Sequence, residues 1–275
     1  MTSSSDWQGT VGRNWAAEWQ RTDTSFSELT LQLLAAIARE QGETIVDIGC
    51  GAGELSIAVA GMRTDSRVTG CDISSDLVSV ATGRGTGLHN LSFTVADASV
   101  WQPDAAPDLY VSRHGVMFFA DPPAVFRHLG AVAAPGARIV FSCFRAAALN
   151  EWAVSIAGLL PPPEPVAVPV FPQGPFAFAD PDHVRSCMAG WHDVDFTPVN
   201  FAYVAGAGDD PVAEAMALFG RIGPSAFAMR SLPEAERMAF EKRLRELVEA
   251  HSDGARVTFR AAAWLITATS DHNHG

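Results

Sequence analysis

The chain has 275 residues, 48% of them hydrophobic and only 18% charged, so it holds ample material for a buried core and its bulk is not disordered. Its 19 Lys and Arg against 31 Asp and Glu leave a formal net charge of −12. Phosphate backbones and anionic bilayers repel such a chain, and no Lys/Arg run offsets the balance, so neither nucleic acid nor a membrane is expected as a partner.

Taken in chain order, residues 1–12 are polar and read as a loose N-terminus, without the cationic flank or apolar core of a signal peptide. The spacing of Leu29, Leu33, Ala36 and Ile37 predicts helices between Asn14 and Arg39. Thr44–Ile48 reads as a buried strand that runs into the glycine cluster Gly49–Gly53, and a helix over Glu54–Ala60 follows. A second strand, Arg67–Ile73, leads to a helix over Ser75–Thr82 with Ser74 or Ser75 as its N-cap. Strands are expected at Leu91–Asp97, Asp108–Arg113 and Arg138–Phe144, with a helix from Pro122 to Ala133 before the last. Such strand–helix alternation argues for a doubly wound parallel sheet.

Beyond residue 150 the composition changes. Residues 161–181 form a proline-rich stretch, read as too irregular for core, and Asp182–Ala189 reads as a helix. Asp193–Val204 and Arg256–Thr269 alternate like strands that extend the sheet. Between them, helices over Pro211–Ile222 and Pro233–His251 are expected to form a cap. The second is amphipathic, with Glu241, Arg245 and Glu249 at four-residue intervals. The expected fold is α/β: a Rossmann-like doubly wound sheet, mostly parallel with an antiparallel end, plus a helical cap. The expected organisation is an N-terminal helical segment at 1–40, a core at 41–149, and cap insertions at 150–180 and 206–252. Residues 181–205 and 253–270 complete the sheet, and 271–275 form a loose tail. Cys50, Cys71, Cys143 and Cys187 lack CxxC pairing, so reduced thiols and a cytoplasmic location are expected, with no metal. His272 and His274 in the tail are too sparse a pattern for a metal site.

The stretch Val46-Asp-Ile-Gly-Cys-Gly-Ala-Gly53 sits between a strand and a helix, where an open α/β sheet binds nucleotide-like ligands. A dinucleotide fingerprint wants a further glycine where this chain has Glu54, which sets a carboxylate where pyrophosphate would lie. The Gly-Lys-Ser/Thr ending of a phosphate loop is absent. With Asp47 also negative, the site suits a ligand that carries cationic groups and no phosphate. S-adenosylmethionine, with its sulfonium, ammonium, ribose diol and adenine, fits that description. Asp72 ends the second strand and lies 72 − 49 = 23 residues after Gly49, near the ~20-residue offset at which an acidic side chain takes ribose hydroxyls. Asp97, at the end of the third strand, can accept from the adenine amino group.

These residues resemble the class I S-adenosylmethionine-dependent methyltransferases, in particular the small-molecule and quinone-type branch with its V-D-I-G-C-G-x-G motif. Ala96-Asp97-Ala98, the run from Ser112 to Pro122, and Pro135-Gly136 resemble the same branch. So do Trp15 and Asp23 before the motif, and Gly174–Pro181 and Ala262–Thr267 after it. The resemblance implies that the Gly49–Gly53 loop holds the methionine portion, that Asp72 binds the ribose, and that Asp97 with Ala98 binds the adenine. Ser112, Arg113 and His114 would line the methyl side. The implied cofactor set is Asp47, Gly49, Cys50, Gly51, Gly53, Asp72, Ile73, Asp97, Ala98, Ser112, Arg113 and Trp15. Related sequences often carry an aromatic residue where this chain has His114. The implied activity is methyl transfer to an O, N or C nucleophile of a small, apolar or aromatic acceptor.

Several of these residues have a plainer reading. The glycines can serve a tight turn alone, Asp72 can cap a helix, and Asp97 can simply precede a loop. His114 is the candidate catalytic base, or a packed histidine. Arg113 can bind a carboxylate or pair with a local acid, and Trp15 can cover the cofactor or staple its own helix. Cys50 and Cys71 read as small buried fillers. Trp152, Phe171, Phe176, Phe178, Phe219 and Phe227 are either the cap's own core or an apolar pocket. Two other functions remain open: a methyltransferase-fold protein that binds the cofactor without methylating, and a nicotinamide oxidoreductase, which Glu54 disfavours.

Overall fold

The computed structural model of the protein describes residues 4–160 and 173–271. Helices α1 (Ser4–Trp7), α2 (Thr10–Ala17) and α3 (Trp19–Ile37) precede the first strand. Residues 4–12 therefore depart from the loose terminus expected over 1–12, of which residues 1–3 lie outside the described residues. Trp7 packs its ring 5.6 Å from Trp15 and edge-on to Phe118 at 5.1 Å, and indoles bury enough apolar area to order a short polar segment. Leu29, Leu33 and Ile37 line the buried face of α3, as their spacing predicts.

The core alternates as expected: β1 (Thr44–Ile48), α4 (Glu54–Met62), β2 (Arg67–Asp72), α5 (Ser75–Arg84), β3 (Leu91–Val95), β4 (Leu109–Arg113), α6 (Pro122–Val132) and β5 (Arg138–Phe144). β1, β4 and β5 are buried almost throughout, the signature of parallel strands covered on both faces. Ser74 is the N-cap of α5, its hydroxyl accepting from the Leu77 N–H at 3.4 Å. Asp121 caps α6 by accepting from Ala124 N–H, with Pro122 in the first turn where its missing N–H costs nothing.

The chain continues through α7 (Glu151–Leu159), α8 (Pro181–Cys187), β6 (Trp191–Ala207), α9 (Pro211–Arg221), α10 (Gly223–Ser231), α11 (Glu234–Ala250) and β7 (Arg256–Ser270). Helices α7 and α10 are absent from the sequence reading. The sequence of α7, EWAVSIAGL, is apolar on nearly every side, so no 3.6-residue period stands out, and α10 opens with Gly-Pro. The proline-rich stretch also departs from expectation. Phe178 is fully buried, stacked 6.1 Å from Phe126, so the end of that stretch is core after all. Phe171, the rest of residues 161–172, His272 and His274 lie outside the described residues.

The sheet runs β3-β2-β1-β4-β5-β7-β6, with parallel pairs up to β5 and antiparallel pairs to β7 and β6. Strand order reverses between β1 and β4, which opens a crevice at their carboxyl ends. β5 pairs with β7 over Ala263–Thr269, whereas β6 pairs with β7 as far as Arg256. The β6–β7 ribbon thus projects past Phe144, beyond the carboxyl end of β5. α9, α10 and α11 connect its two strands and pack on one another, and α10 and α11 pack on α7. Among the described residues no helix is long and apolar enough to cross a membrane. All four cysteines are buried and free.

Candidate active site

A cavity of about 570 Å³ lies at the carboxyl ends of β1, β2 and β4, within the roughly 300–1,000 Å³ usual for small-molecule sites. Of the residues singled out from sequence, Trp15, Asp47, Gly49, Cys50, Gly51, Asp72, Ile73, Asp97, Ala98, Arg113 and His114 line it. Gly53 and Ser112 do not. The Ser112 hydroxyl donates to Ile48 O at 2.6 Å and accepts from Gly115 N–H at 3.2 Å, holding the β4 turn against the end of β1. Gly53 packs against Ala81 and Phe93, and a Cβ there would come within 2.9 Å of both.

The glycine loop leaves β1 through Gly49 (φ 64°) and Gly51 (φ 55°), in the left-handed region that other residues enter at a cost. A Cβ on Gly49 would lie 2.9 Å from Gly115 Cα, whereas one on Gly51 would meet nothing within 4 Å. The loop is therefore packed behind and open in front. Asp72 braces it from β2. One carboxylate oxygen accepts from Gly51 N–H and the other from Ser74 N–H, each at 2.9 Å. Burial raises its pKa, and those backbone N–H groups oppose the rise. Asp97 accepts from Ser99 N–H at 2.9 Å at the far wall.

Asp47 is 1% exposed. Its Oδ2 accepts from the Ser56 hydroxyl at 2.6 Å, and its Oδ1 is buried without a partner among the described residues. Burial pushes its pKa up to about 7, against the pull of the Ser56 hydrogen bond. Beside it lies a charge cluster that the sequence motifs do not spell out. Arg113 pairs with Glu54, lies 3.8 Å from Asp23, and donates to Thr30 at 2.8 Å. Arg84 reaches Asp23 at 2.5 Å and Ala52 O at 2.7 Å, with its guanidinium 3.8 Å over the Trp19 ring. Asp23 is pushed up to about 7, first by burial and then by Glu54, while the two arginines pull it down. Arg113 thus lines the cavity while its guanidinium pairs with local acids.

His114 occupies the left-handed region (φ 64°) just past β4, its ring stacked 4.2 Å from Phe144. Nδ1 lies 3.2 Å from Ser142 O, while Nε2 is buried and unpartnered among the described residues. Burial, reinforced by Arg113, holds its pKa at about 3, so the ring is neutral at pH 7. Of its two readings, catalytic base or packed histidine, burial among aromatic rings disfavours a base that titrates near neutrality.

The remaining wall is apolar. Trp7, Trp15 and Phe118 stand on the N-terminal side, and Phe26, Phe144, Trp152, Tyr203 and Phe219 on the cap side. Trp152 and Phe219 thus face the cavity, and Phe176 backs Trp152 at 5.9 Å. Phe227 is 67% exposed. Phe26 and Tyr203 carry no local motif, and only the meeting of α3 with β6 brings them together.

Residues 19–174, more than half of the chain, match a family model described as a methyltransferase domain. Trans-aconitate 2-methyltransferase of Methylobacterium radiotolerans is 32% identical over 105 residues, 38% of this chain and 39% of that protein. The Escherichia coli enzyme of the same name is 30% identical over 131 residues, 48% of each chain. Phosphoethanolamine N-methyltransferase 1 of Arabidopsis thaliana is 31% identical over 117 residues, 42% of this chain and 24% of that protein. These matches span less than half the length of each relative. Among solved structures, Haemonchus contortus phosphoethanolamine N-methyltransferase 2 in complex with S-adenosyl-L-methionine superposes with a TM-score of 0.56 at 14% identity, over 99% of this chain and 61% of that one. The [4+2]-cyclase SpnF gives 0.52 at 19%, over 90% and 82%. At such identities the likeness is one of fold.

Proposed function

The chain belongs to the methyltransferase-domain family, in the class I S-adenosylmethionine-dependent fold, and on that premise we propose that it methylates a small, apolar or aromatic acceptor held under α7 and α9. The observation that carries this reading is Asp47 Oδ1, a buried carboxylate oxygen without a partner among the described residues, in the wall of an acidic cavity. Such an atom asks for a cation, and the amino-acid end of the donor supplies one. When bound, the donor supplies a methyl group activated by a sulfonium. Asp47 and the open face of Gly49–Gly51 would hold its ammonium end, Asp72 the ribose hydroxyls, and Asp97, Ala98 and Ile73 the adenine. Trp15 would cover the nucleoside from the N-terminal side. Arg113, held by Glu54 and Asp23, fixes the charge of the wall nearest His114. In this reading Ser112 and Gly53 shape the loop without touching the ligand.

The chain's own contribution is positioning. Holding two reactants in line can supply up to about 7–11 kcal/mol, and an apolar cap keeps water from the reacting atoms. Calorimetric titration with S-adenosylhomocysteine tests the reading, with Asp72→Ala expected to weaken binding at least about tenfold through its lost charged hydrogen bonds. Tight NADH uptake with no response to the adenosyl compound would overturn it. Labelled donor with candidate acceptors separates a methylating enzyme from a protein that only binds the cofactor.

A further inference from the structure

At the acceptor end of the cavity five aromatic side chains close a circle. His114 stacks on Phe144 at 4.2 Å, Phe144 meets Trp152 at 5.5 Å, and Trp152 stacks on Tyr203 at 5.5 Å. Tyr203 meets Phe26 at 5.5 Å, and Phe26 returns to His114 at 5.2 Å. They come from the turn after β4 and from β5, α7, β6 and α3, and all line the cavity. Two polar atoms of this circle, His114 Nε2 and Trp152 Nε1, are buried with no partner among the described residues, on side chains more than nine-tenths buried. Buried polar atoms are rarely left so, and two in one wall point to a ligand that completes them.

The two atoms are opposite in kind. Two groups of Ser142 face His114 Nδ1, the carbonyl oxygen at 3.2 Å and the hydroxyl at 3.4 Å; the nearer one can only accept, which assigns the hydrogen to Nδ1 and leaves Nε2 a bare lone pair. The indole N–H of Trp152 can only donate. A hydroxyl matches both in kind, having a hydrogen for Nε2 and a lone pair for Nε1–H. A carboxylate has no hydrogen for Nε2, and an ammonium has no lone pair for Nε1. The charge of the wall points the same way. Asp23, Asp47, Glu54, Asp72, Asp97 and Asp121 line the cavity, and the one lining arginine among the described residues, Arg113, is already held by Glu54 and Asp23. A polycarboxylate or phosphate acceptor finds no free cation there.

We infer that the acceptor is an uncharged, flat phenol, its hydroxyl clamped between His114 Nε2 and Trp152 Nε1 and its ring packed against the Phe26, Phe144 and Tyr203 side chains. This rests on the methyl-transfer reading only for the identity of the site. Because His114 is neutral down to acid pH, Nε2 is free to accept throughout the neutral range. The N-terminal end of the cavity, between Trp15 and Asp97, is left to the donor.

The test uses the full chain saturated with S-adenosylhomocysteine and titrated calorimetrically with one- to three-ring phenols, their methyl ethers, the matching arylamines and carboxylates, trans-aconitate and phosphoethanolamine. Phenols are expected to bind, at least one of them about tenfold tighter than its own methyl ether, the scale of a lost buried hydrogen bond. In Trp152→Phe and His114→Asn (asparagine tolerates the left-handed backbone) that preference is expected to vanish while the affinity for the methyl ether and for S-adenosylhomocysteine stays. Carboxylates, phosphoethanolamine or arylamines binding as tightly as the phenols, or no phenol binding at all, overturns the clamp and leaves methyl transfer standing. Failure of S-adenosylhomocysteine itself to bind overturns the methyl-transfer reading, and the clamp with it.

Discussion

Asp47 and Asp23 are carboxyls kept where charge is expensive, each with its pKa pushed up to about 7 mainly by burial. An arriving cation favours the ionised form, so binding expels a proton wherever the carboxyl is still protonated. The affinity for S-adenosylmethionine should therefore fall as pH drops through 7, by about tenfold between pH 8 and pH 6 for one such group, and calorimetry in two buffers of different ionisation enthalpy should register the released proton. For stability the sign is opposite. The folded pKa of Asp47 lies above the ordinary 3.8, so its contribution is complete at acid pH and is lost as pH rises through about 7. Asp47→Asn should raise the thermal midpoint of the free protein at pH 8, leave it nearly unchanged at pH 5, and weaken S-adenosylhomocysteine at least about tenfold. His114 offers a companion measurement. With a pKa of about 3, its ¹⁵N resonances should show one Nδ1–H tautomer without titration between pH 5 and 8. Asp47 and Asp72 are legible in sequence because a glycine loop and a strand end mark them. The neutrality of His114 is not, since it follows from Phe144 and Phe26, which stand far away in the chain.

Among the elements, α2 depends on one close contact. A Cβ on Gly12 would lie 2.1 Å from Trp7 O and 2.3 Å from Ser74 Oγ, and Ser74 is both the N-cap of α5 and a partner of Asp72. Gly12→Ala should push α1 and α2 off α5, carrying Trp7 and Trp15 away from the cavity. Hydrogen exchange should then show lost protection over residues 4–17 with the sheet unaffected, alongside weaker binding of S-adenosylhomocysteine. The cap makes a parallel case on the other side. Phe240, Leu244 and Val248 form the buried stripe of α11, which packs on α9 and α7. Phe240→Ala should cost about 3–5 kcal/mol by chemical denaturation, the usual range for a large side chain removed from a core. That stripe can be read from spacing because the opposite face of α11 is charged. Its neighbour α7 lacks a polar face, and so the helix that carries Trp152 goes unseen.

On the scale of the whole molecule, a single buried acid ties the two coverings of the site together. Glu18, 1% exposed at the junction of α2 and α3, accepts from Arg221 at the end of α9 at 2.7 Å and also holds Arg21, which in turn reaches Glu214 of α9 at 2.7 Å. Glu18→Ala cuts the link from the α2–α3 junction to Arg221 and leaves Arg21 with Glu214 alone, so it should weaken the donor and the acceptor together, whereas Phe240→Ala acts chiefly on the acceptor side. Paired calorimetric titrations of each variant would separate the two patterns. The sequence by itself determined the alternating core, the glycine loop and its acidic strand ends, because a periodic apolar pattern and a turn demanding positive φ are local properties of a few consecutive residues. The tertiary structure alone decided the ordering of the N-terminus, the arginine-bound acids around Asp23, and the aromatic circle with its two unsatisfied nitrogens. Those features arise where segments distant along the chain meet, and burial at such meeting points sets what each side chain can do.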